Sequence, residues 1–132
     1  MVILLDTSAW IEFLRATGSP THLRVKALLS EAEANIATTD VVSMELLAGA
    51  RDAAHEQALR QLLARCAMIP VEAPSDYEEA AMLYRRCRQK GETVRKLTDC
   101  LIAAVAIRSG CAVLHQDADF AALARCTALV LA

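Results

Sequence analysis

The amino-acid sequence predicts an α/β domain: a three-layer α/β/α arrangement with a short, mostly parallel central sheet flanked by helices. Three observations carry this. Strand-like and helix-like segments alternate along the whole chain. The strand-like runs, such as Val2-Ile3-Leu4-Leu5, are continuously apolar rather than alternating, which is the pattern of strands covered on both faces. The length of 132 residues suits one domain. No internal repeat, linker or low-complexity tract divides it, so residues 1–132 are read as a single unit.

Each element has a local reason. Val2–Leu5 is a short buried strand, and Thr7–Leu14 follows as a helix carrying Ala9, Ile11, Phe13 and Leu14. Thr17-Gly18-Ser19-Pro20 is a turn. Leu23, Val25, Leu28 and Leu29 continue as a helix to about Glu33, and Asn35–Thr38 is a strand candidate. Asp40 is placed to cap a helix to Ala48, which Gly49 ends. His55–Cys66 is a helix with Leu59, Leu62 and Leu63 on one face. Met68–Val71 reads as a strand, and Ser75–Arg88 as an amphipathic helix stopped by Gly91. Leu97–Ile107 is an apolar helix closed by Gly110. Ala112–His115 is a strand, Phe120–Ala124 a short helix for which Asp119 fits the cap better than Asp117, and Leu129–Leu131 a last strand.

Composition narrows the function. The chain is 55% hydrophobic with a mean hydropathy of +0.31. Its longest charge-free stretches, 100–107 and 109–116, fall far short of the ~18 apolar residues of a membrane helix. No signal peptide is visible, so a cytoplasmic protein is expected. The apolar surplus goes either to an Ala-rich helical core or to a partner or dimer surface. Five widely spaced cysteines without a Cys-x-x-Cys pair argue against a disulfide framework and a structural zinc site, and for reduced, mostly buried thiols. The net charge of −2 does not by itself favour nucleic acid.

Four acids interrupt or end apolar runs. Asp6 ends Val2–Leu5, Glu45 interrupts the segment 41–48, Asp99 interrupts 97–105, and Asp117, with Asp119 behind it, ends 112–116. Ionised carboxylates among apolar neighbours are costly unless paired, and clustering adds repulsion. A divalent cation relieves both. Asp6 and Asp117 each also fit a helix N-cap, but in a parallel sheet both lie beyond strand carboxyl ends, where ligands bind. Glu45 and Asp99 lean on apolar helix faces. For Asp99 the alternative is an ion pair with Arg95 one turn before it. A cluster of carboxylate oxygens selects hard cations, Mg²⁺ or Mn²⁺. Such a site without another nucleophile points to metal-assisted hydrolysis of a phosphodiester, with Thr7 or Ser8 lending a hydroxyl. The histidines do not fit a ligand role: His22 and His55 fall on surface helices, and His115 points into or along the sheet. No Ser-His-Asp set, phosphate loop or nucleotide fingerprint is present.

The segments Leu5-Asp6-Thr7-Ser8-Ala9-Trp10, Met44-Glu45-Leu46-Leu47-Ala48-Gly49, Thr98-Asp99-Cys100-Leu101-Ile102-Ala103-Ala104 and His115-Gln116-Asp117-Ala118-Asp119-Phe120 resemble the PIN domain. Their order and spacing are similar to those of VapC toxins of bacterial VapBC toxin–antitoxin pairs, over nearly the whole chain. The resemblance implies a Mg²⁺- or Mn²⁺-dependent endoribonuclease that cleaves cellular RNA. It implies catalytic roles for Asp6, Glu45, Asp99 and Asp117, with Asp6, Asp99, Asp117 and the accessory acid Asp119 as metal ligands. It also implies a homodimer and a VapB-like antitoxin that blocks the site. A PIN nuclease in housekeeping RNA processing is the alternative. A receiver-like signalling module would need paired acids after the first strand and a lysine beyond Lys96, and neither occurs. A haloacid-dehalogenase-like phosphatase would need an acid where Ser8 stands.

One charged segment stands apart. Arg85, Arg86, Arg88, Lys90, Arg95 and Lys96 fall within twelve residues and lead into the helix carrying Asp99. They are candidates for RNA phosphate contacts, with ordinary complementing of a helix C-terminus as the alternative.

Overall fold

In the computed structural model, which describes residues 1–32 and 35–132, five strands and seven helices alternate. They are β1 (Ile3–Leu5), α1 (Thr7–Leu14), α2 (Pro20–Ser30), β2 (Ile36–Thr38), α3 (Asp40–Ala48), α4 (Ala53–Leu63), β3 (Ala67–Met68), α5 (Ser75–Gln89), α6 (Leu97–Ser109), β4 (Ala112–Leu114), α7 (Ala118–Cys126) and β5 (Val130–Leu131). The sheet order is β3-β2-β1-β4-β5, and every pairing is parallel. The second helix, expected to run to about Glu33, ends at Ser30 with Glu31 already extended; residues 33–34 lie outside the described residues.

This order creates the site. The chain winds outward from β1 through β2 to β3, then returns to place β4 on the other side of β1. The connections reverse between β1 and β4, and in open α/β sheets the crevice at such a reversal is where ligands bind. Leu5 pairs with Leu114, so the residues following each, Asp6 and His115-Gln116-Asp117, leave the sheet side by side. The Asp6 amide still donates to the Leu114 carbonyl at 3.0 Å, which fixes this register.

Helix α6 supplies the third arm. Residues 99–106 are all buried, so the helix is covered on every side and reads as a core helix. Ala103, Ala104 and Ala106 let its neighbours pack closely around it. Gly110 ends it with φ +70, a left-handed conformation that glycine adopts at least cost. At this end Arg108 forks onto the buried Asp76 at the start of α5, with contacts of 2.9–3.1 Å, and also donates to the Pro70 carbonyl at 2.9 Å. The helix is thereby anchored with Asp99 at its other end.

Several local expectations differ from the structure. Asp40 is the first residue of α3 rather than its cap. Its Oδ1 instead accepts the Val71 amide at 3.1 Å, joining two distant segments. The strand expected over Met68–Val71 covers only Ala67–Met68, because Pro70 has no N–H to continue the ladder. Asp117, not Asp119, caps α7: its side chain accepts the Asp119 amide at 2.9 Å. The apolar surplus is divided. Much of it fills the core around α6, yet Leu23, Met44, Tyr77, Met82 and Leu97 remain exposed. All five cysteines are free thiols, four of them buried.

Candidate metal and nuclease site

Asp6 is both cap and candidate ligand. Its Oδ2 accepts the Ser8 amide at 2.9 Å and the Ser8 hydroxyl at 2.6 Å, capping α1. Its Oδ1 is buried and has no partner. The Ser8 hydroxyl in turn accepts the Gln116 amide at 2.8 Å, tying the loops after β1 and β4 together. Asp99 enters from the first turn of α6, and its Oδ2 is likewise buried and unpartnered. Asp6 and Asp99 are each 3% exposed.

Asp117 and Asp119 close the cluster. Single carboxylate oxygens of Asp99, Asp117 and Asp119 lie within 4.8 Å of one another. Asp117 is held by Arg95 at 3.2 Å through Oδ1 and by Lys96 at 3.1 Å through Oδ2. Asp119, only 2% exposed, has both oxygens engaged. Oδ1 accepts the Arg95 amide and Oδ2 the Lys96 amide, each at 3.1 Å, and the Arg95 Nε lies 3.4 Å from Oδ1. Arg95 therefore pairs with Asp117 and Asp119, not with Asp99 as the helix periodicity suggested.

The electrostatics follow from these contacts. Burial, assisted by the Asp119 side chain and the Asp6 charge, pushes the Asp99 carboxyl up to about 8. Burial also raises Asp6, against the opposing effect of the Ser8 hydrogen bonds. For Asp117 burial acts upward but is outweighed by the Asp119 amide, Lys96 and Arg95, leaving the carboxyl below its ordinary range. Burial keeps His115 below its ordinary value, and its Nδ1 accepts the Asp117 amide at 3.0 Å. The imidazole thus shapes the loop.

These donors suit a hard divalent cation. All are carboxylate oxygens, and two buried ones, on Asp6 and Asp99, have no partner among the described residues. Mg²⁺ and Mn²⁺ favour such oxygen donors over nitrogen or sulfur. A carboxyl held up to about 8 is also one that a cation would bring back to its ionised form.

The remaining predicted residues divide. Glu45, half-buried on α3, accepts the Thr7 hydroxyl at 2.8 Å. It therefore stands one residue from Asp6 but outside the three-acid group. Of the six cations, only Arg95 and Lys96 contact the acids. Arg85 and Arg86 border a shallow groove with Met82 and Gln89 on α5. Arg88 lies over the Tyr84 ring at 5.8 Å. Lys90 donates to the Cys126 carbonyl at 3.3 Å, at the far end of α7. Sequence reasoning missed the bridging of Ser8 to Gln116 and the grip of Asp119 on residues 95–96, because both join segments far apart in the chain.

Residues 3–125 match the family model described as the PIN domain. The chain is 47% identical over 128 residues to Ribonuclease VapC11 of Mycobacterium tuberculosis, covering 97% of this chain and 96% of that protein. Its fold is similar to that in the crystal structure of VapBC2 from Rickettsia felis bound to a promoter DNA fragment, with a TM-score of 0.76 at 20% identity over 100% of this chain and 98% of that one. It is also similar to VapBC-5 of Mycobacterium tuberculosis, a member of the VapBC family of toxin–antitoxin systems. There the TM-score is 0.66 at 27% identity, with both chains fully covered.

Proposed function

The chain belongs to the PIN-domain family and, within it, to the VapC ribonucleases; from that membership and the site's geometry we propose a divalent-metal-dependent endoribonuclease that serves as the toxin of a toxin–antitoxin pair. The observation that carries the metal chemistry is the pair of buried, unpartnered oxygens, Asp6 Oδ1 and Asp99 Oδ2, beside Asp117 at the β1/β4 crevice.

Asp6, Asp99 and Asp117 would hold the cation, which we assign as Mg²⁺ or Mn²⁺. When bound, it supplies an acidified water and charge stabilisation at the phosphoryl oxygens. Glu45 orients the Thr7 hydroxyl through Oε1, leaving the Thr7 oxygen lone pairs to accept from the attacking water. Oε2 of Glu45 accepts no hydrogen bond from the described residues and takes the proton that this water gives up. Ser8 keeps Asp6 facing the crevice through the bonds that join it to Gln116. Asp119 acts on the site from behind, by fixing residues 95–96. The antitoxin is a partner that blocks this crevice. Arg makes bidentate bonds to carboxylates, so an inserted Arg reaching Asp6, Asp99 or Asp117 would neutralise the cluster without metal.

The test uses the purified chain, single-stranded RNA and mapping of the new RNA ends. Cleavage is expected with Mg²⁺ or Mn²⁺ and none with chelator. Asp99→Asn should lose more than the ~100-fold that removal of an outer-shell partner costs at a metal site. Cleavage by Asp99→Asn at the natural rate would remove Asp99 from the chemistry. Expression of the natural chain should arrest growth, and co-expression of a small protein encoded beside it should relieve the arrest.

A further inference from the structure

The ammonium of Lys96 lies where a cation is wanted. Its Nζ is 3.1 Å from Asp117 Oδ2. Arg95 makes a comparable contact with Asp117 but also lies against Asp119. Lys96 pairs with Asp117 alone, whose carboxylate offers an oxygen within 4.8 Å of one on Asp99.

Its backbone and side chain are held very differently. The Lys96 amide is fixed by Asp119 Oδ2 at 3.1 Å, at the N-cap position of α6. The side chain is 53% exposed, so a long flexible stem can leave Asp117 without moving the backbone. A point charge on a mobile stem satisfies a carboxylate while remaining displaceable, which a bidentate arginine fork does less readily.

We propose that Lys96 is a built-in counter-cation that competes with the divalent metal for Asp117 and so sets the metal affinity of the site. This rests on the metal-site reading above. The carboxylates then never face one another wholly uncompensated. With metal absent, the ammonium offsets their repulsion; with metal bound, Asp117 turns to the ion and the ammonium moves toward the cleft mouth. Metal binding is weakened by the work of displacing it. A partly exposed ion pair contributes ~0.2–1 kcal/mol, so the effect on affinity is a small multiple rather than many orders of magnitude.

The probe is Mn²⁺ alone, with free ion quantified by its paramagnetic resonance signal at physiological salt, where distant charges are screened. Lys96→Met and Lys96→Gln should each tighten Mn²⁺ binding by about two- to fivefold, equivalent to ~0.4–1 kcal/mol. Both should also melt at a lower temperature than the natural chain in chelator and regain the loss at saturating Mn²⁺. Lys96→Arg should bind Mn²⁺ no more tightly than the natural chain, because its fork is harder to displace. Lys90→Met, which removes a charge at the far end of α7, should leave Mn²⁺ affinity unchanged. Unchanged or weaker Mn²⁺ binding in both Lys96 variants overturns the proposal, as does an equal gain from Lys90→Met. The underlying reading is tested by Asp99→Asn in the same titration. Retention of natural Mn²⁺ affinity there would overturn the metal site itself, whereas its loss with no Lys96 effect would overturn only the role of Lys96.

Discussion

Asp99 is where folding and chemistry oppose each other most directly. Its carboxyl is raised from an ordinary 3.8 to about 8, first by burial and then by Asp119 and Asp6. Between those values the folded chain binds a proton that the unfolded chain has already lost. Stability without metal must therefore fall as pH rises. The Asp99 contribution is fully present below about 4 and is gone above about 8. Asp6 shifts in the same direction. Asp117 shifts the other way at and below the ordinary carboxylate range, outside this window. His115, held below its ordinary 6.5 by burial, opposes the fall in the lower part of the window, and does so equally in the natural chain and in Asp99→Asn. In chelator, the melting temperature should drop from pH 5 to pH 8, and Asp99→Asn should remove much of the drop and be the more stable protein at pH 8. Saturating Mn²⁺ should flatten or reverse the slope, because binding releases the proton. Calorimetric scans across this range check the point, and parallel curves for the two proteins would count against it. The sequence left Asp6 between a helix cap and a ligand. In the structure one oxygen caps α1 and the other is buried without a partner among the described residues, so capping does not exclude the proposed ligand role.

Among the elements, the start of α6 is held from outside. Its N-cap residue, Lys96, makes no side-chain cap bond. The amides of Arg95 and Lys96 instead donate to Asp119 on α7. Asp119→Ala would leave those amides without an acceptor, and a buried unsatisfied group costs about 1–3 kcal/mol. The variant should therefore melt well below the natural chain, and the deficit should persist at saturating Mn²⁺. Asp119→Asn keeps a carbonyl acceptor and should recover part of it. A deficit that vanishes with metal would make Asp119 a ligand first and a clamp second. Such contacts explain what was legible at this scale. Helices α1, α5 and α6 and strands β1 and β4 were readable because apolar spacing and glycine stops are local signals. The cap of α7, the role of Asp40 and the short β3 were not. Asp119 is drawn away from the cap by the amides of residues 95–96, and Asp40 by that of Val71. Local spacing carries no trace of which acid turns toward which distant segment. The short β3 follows from Pro70, a local signal the apolar run masked.

For the whole molecule, the question is how a chain of net charge −2 holds RNA. The four acids were legible because apolar neighbours made each anomalous. The reversal of strand order at β1/β4 sets the residues after β1 and β4 side by side, while Glu45 stays outside the three-acid group, on Thr7. The basic segment was legible as a run but not as a shape. Folding divides it in two. Arg95 and Lys96 sit on the acids. Lys90 is fastened to the opposite end of α7, about 13 Å away for a nine-residue helix, and Arg85, Arg86 and Arg88 stand on α5. An RNA that covers only the scissile bond should meet the first pair alone, and a longer strand can run on to the second group. Phosphate contacts of this kind position without specifying sequence, and each contributes about 0.7 to the salt dependence of single-strand binding. Arg86→Ala with Arg88→Ala should therefore lower the salt slope by roughly 1.4 for a long oligonucleotide, about equally for all sequences, and leave a trinucleotide unaffected. Cleavage of bound RNA should persist, since Asp6, Asp99 and Asp117 are unchanged. Binding titrations at several salt concentrations decide it. An unaltered slope with the long strand would assign these arginines to the exposed surface of α5, where Arg86 and Arg88 in the last turn complement the helix C-terminus.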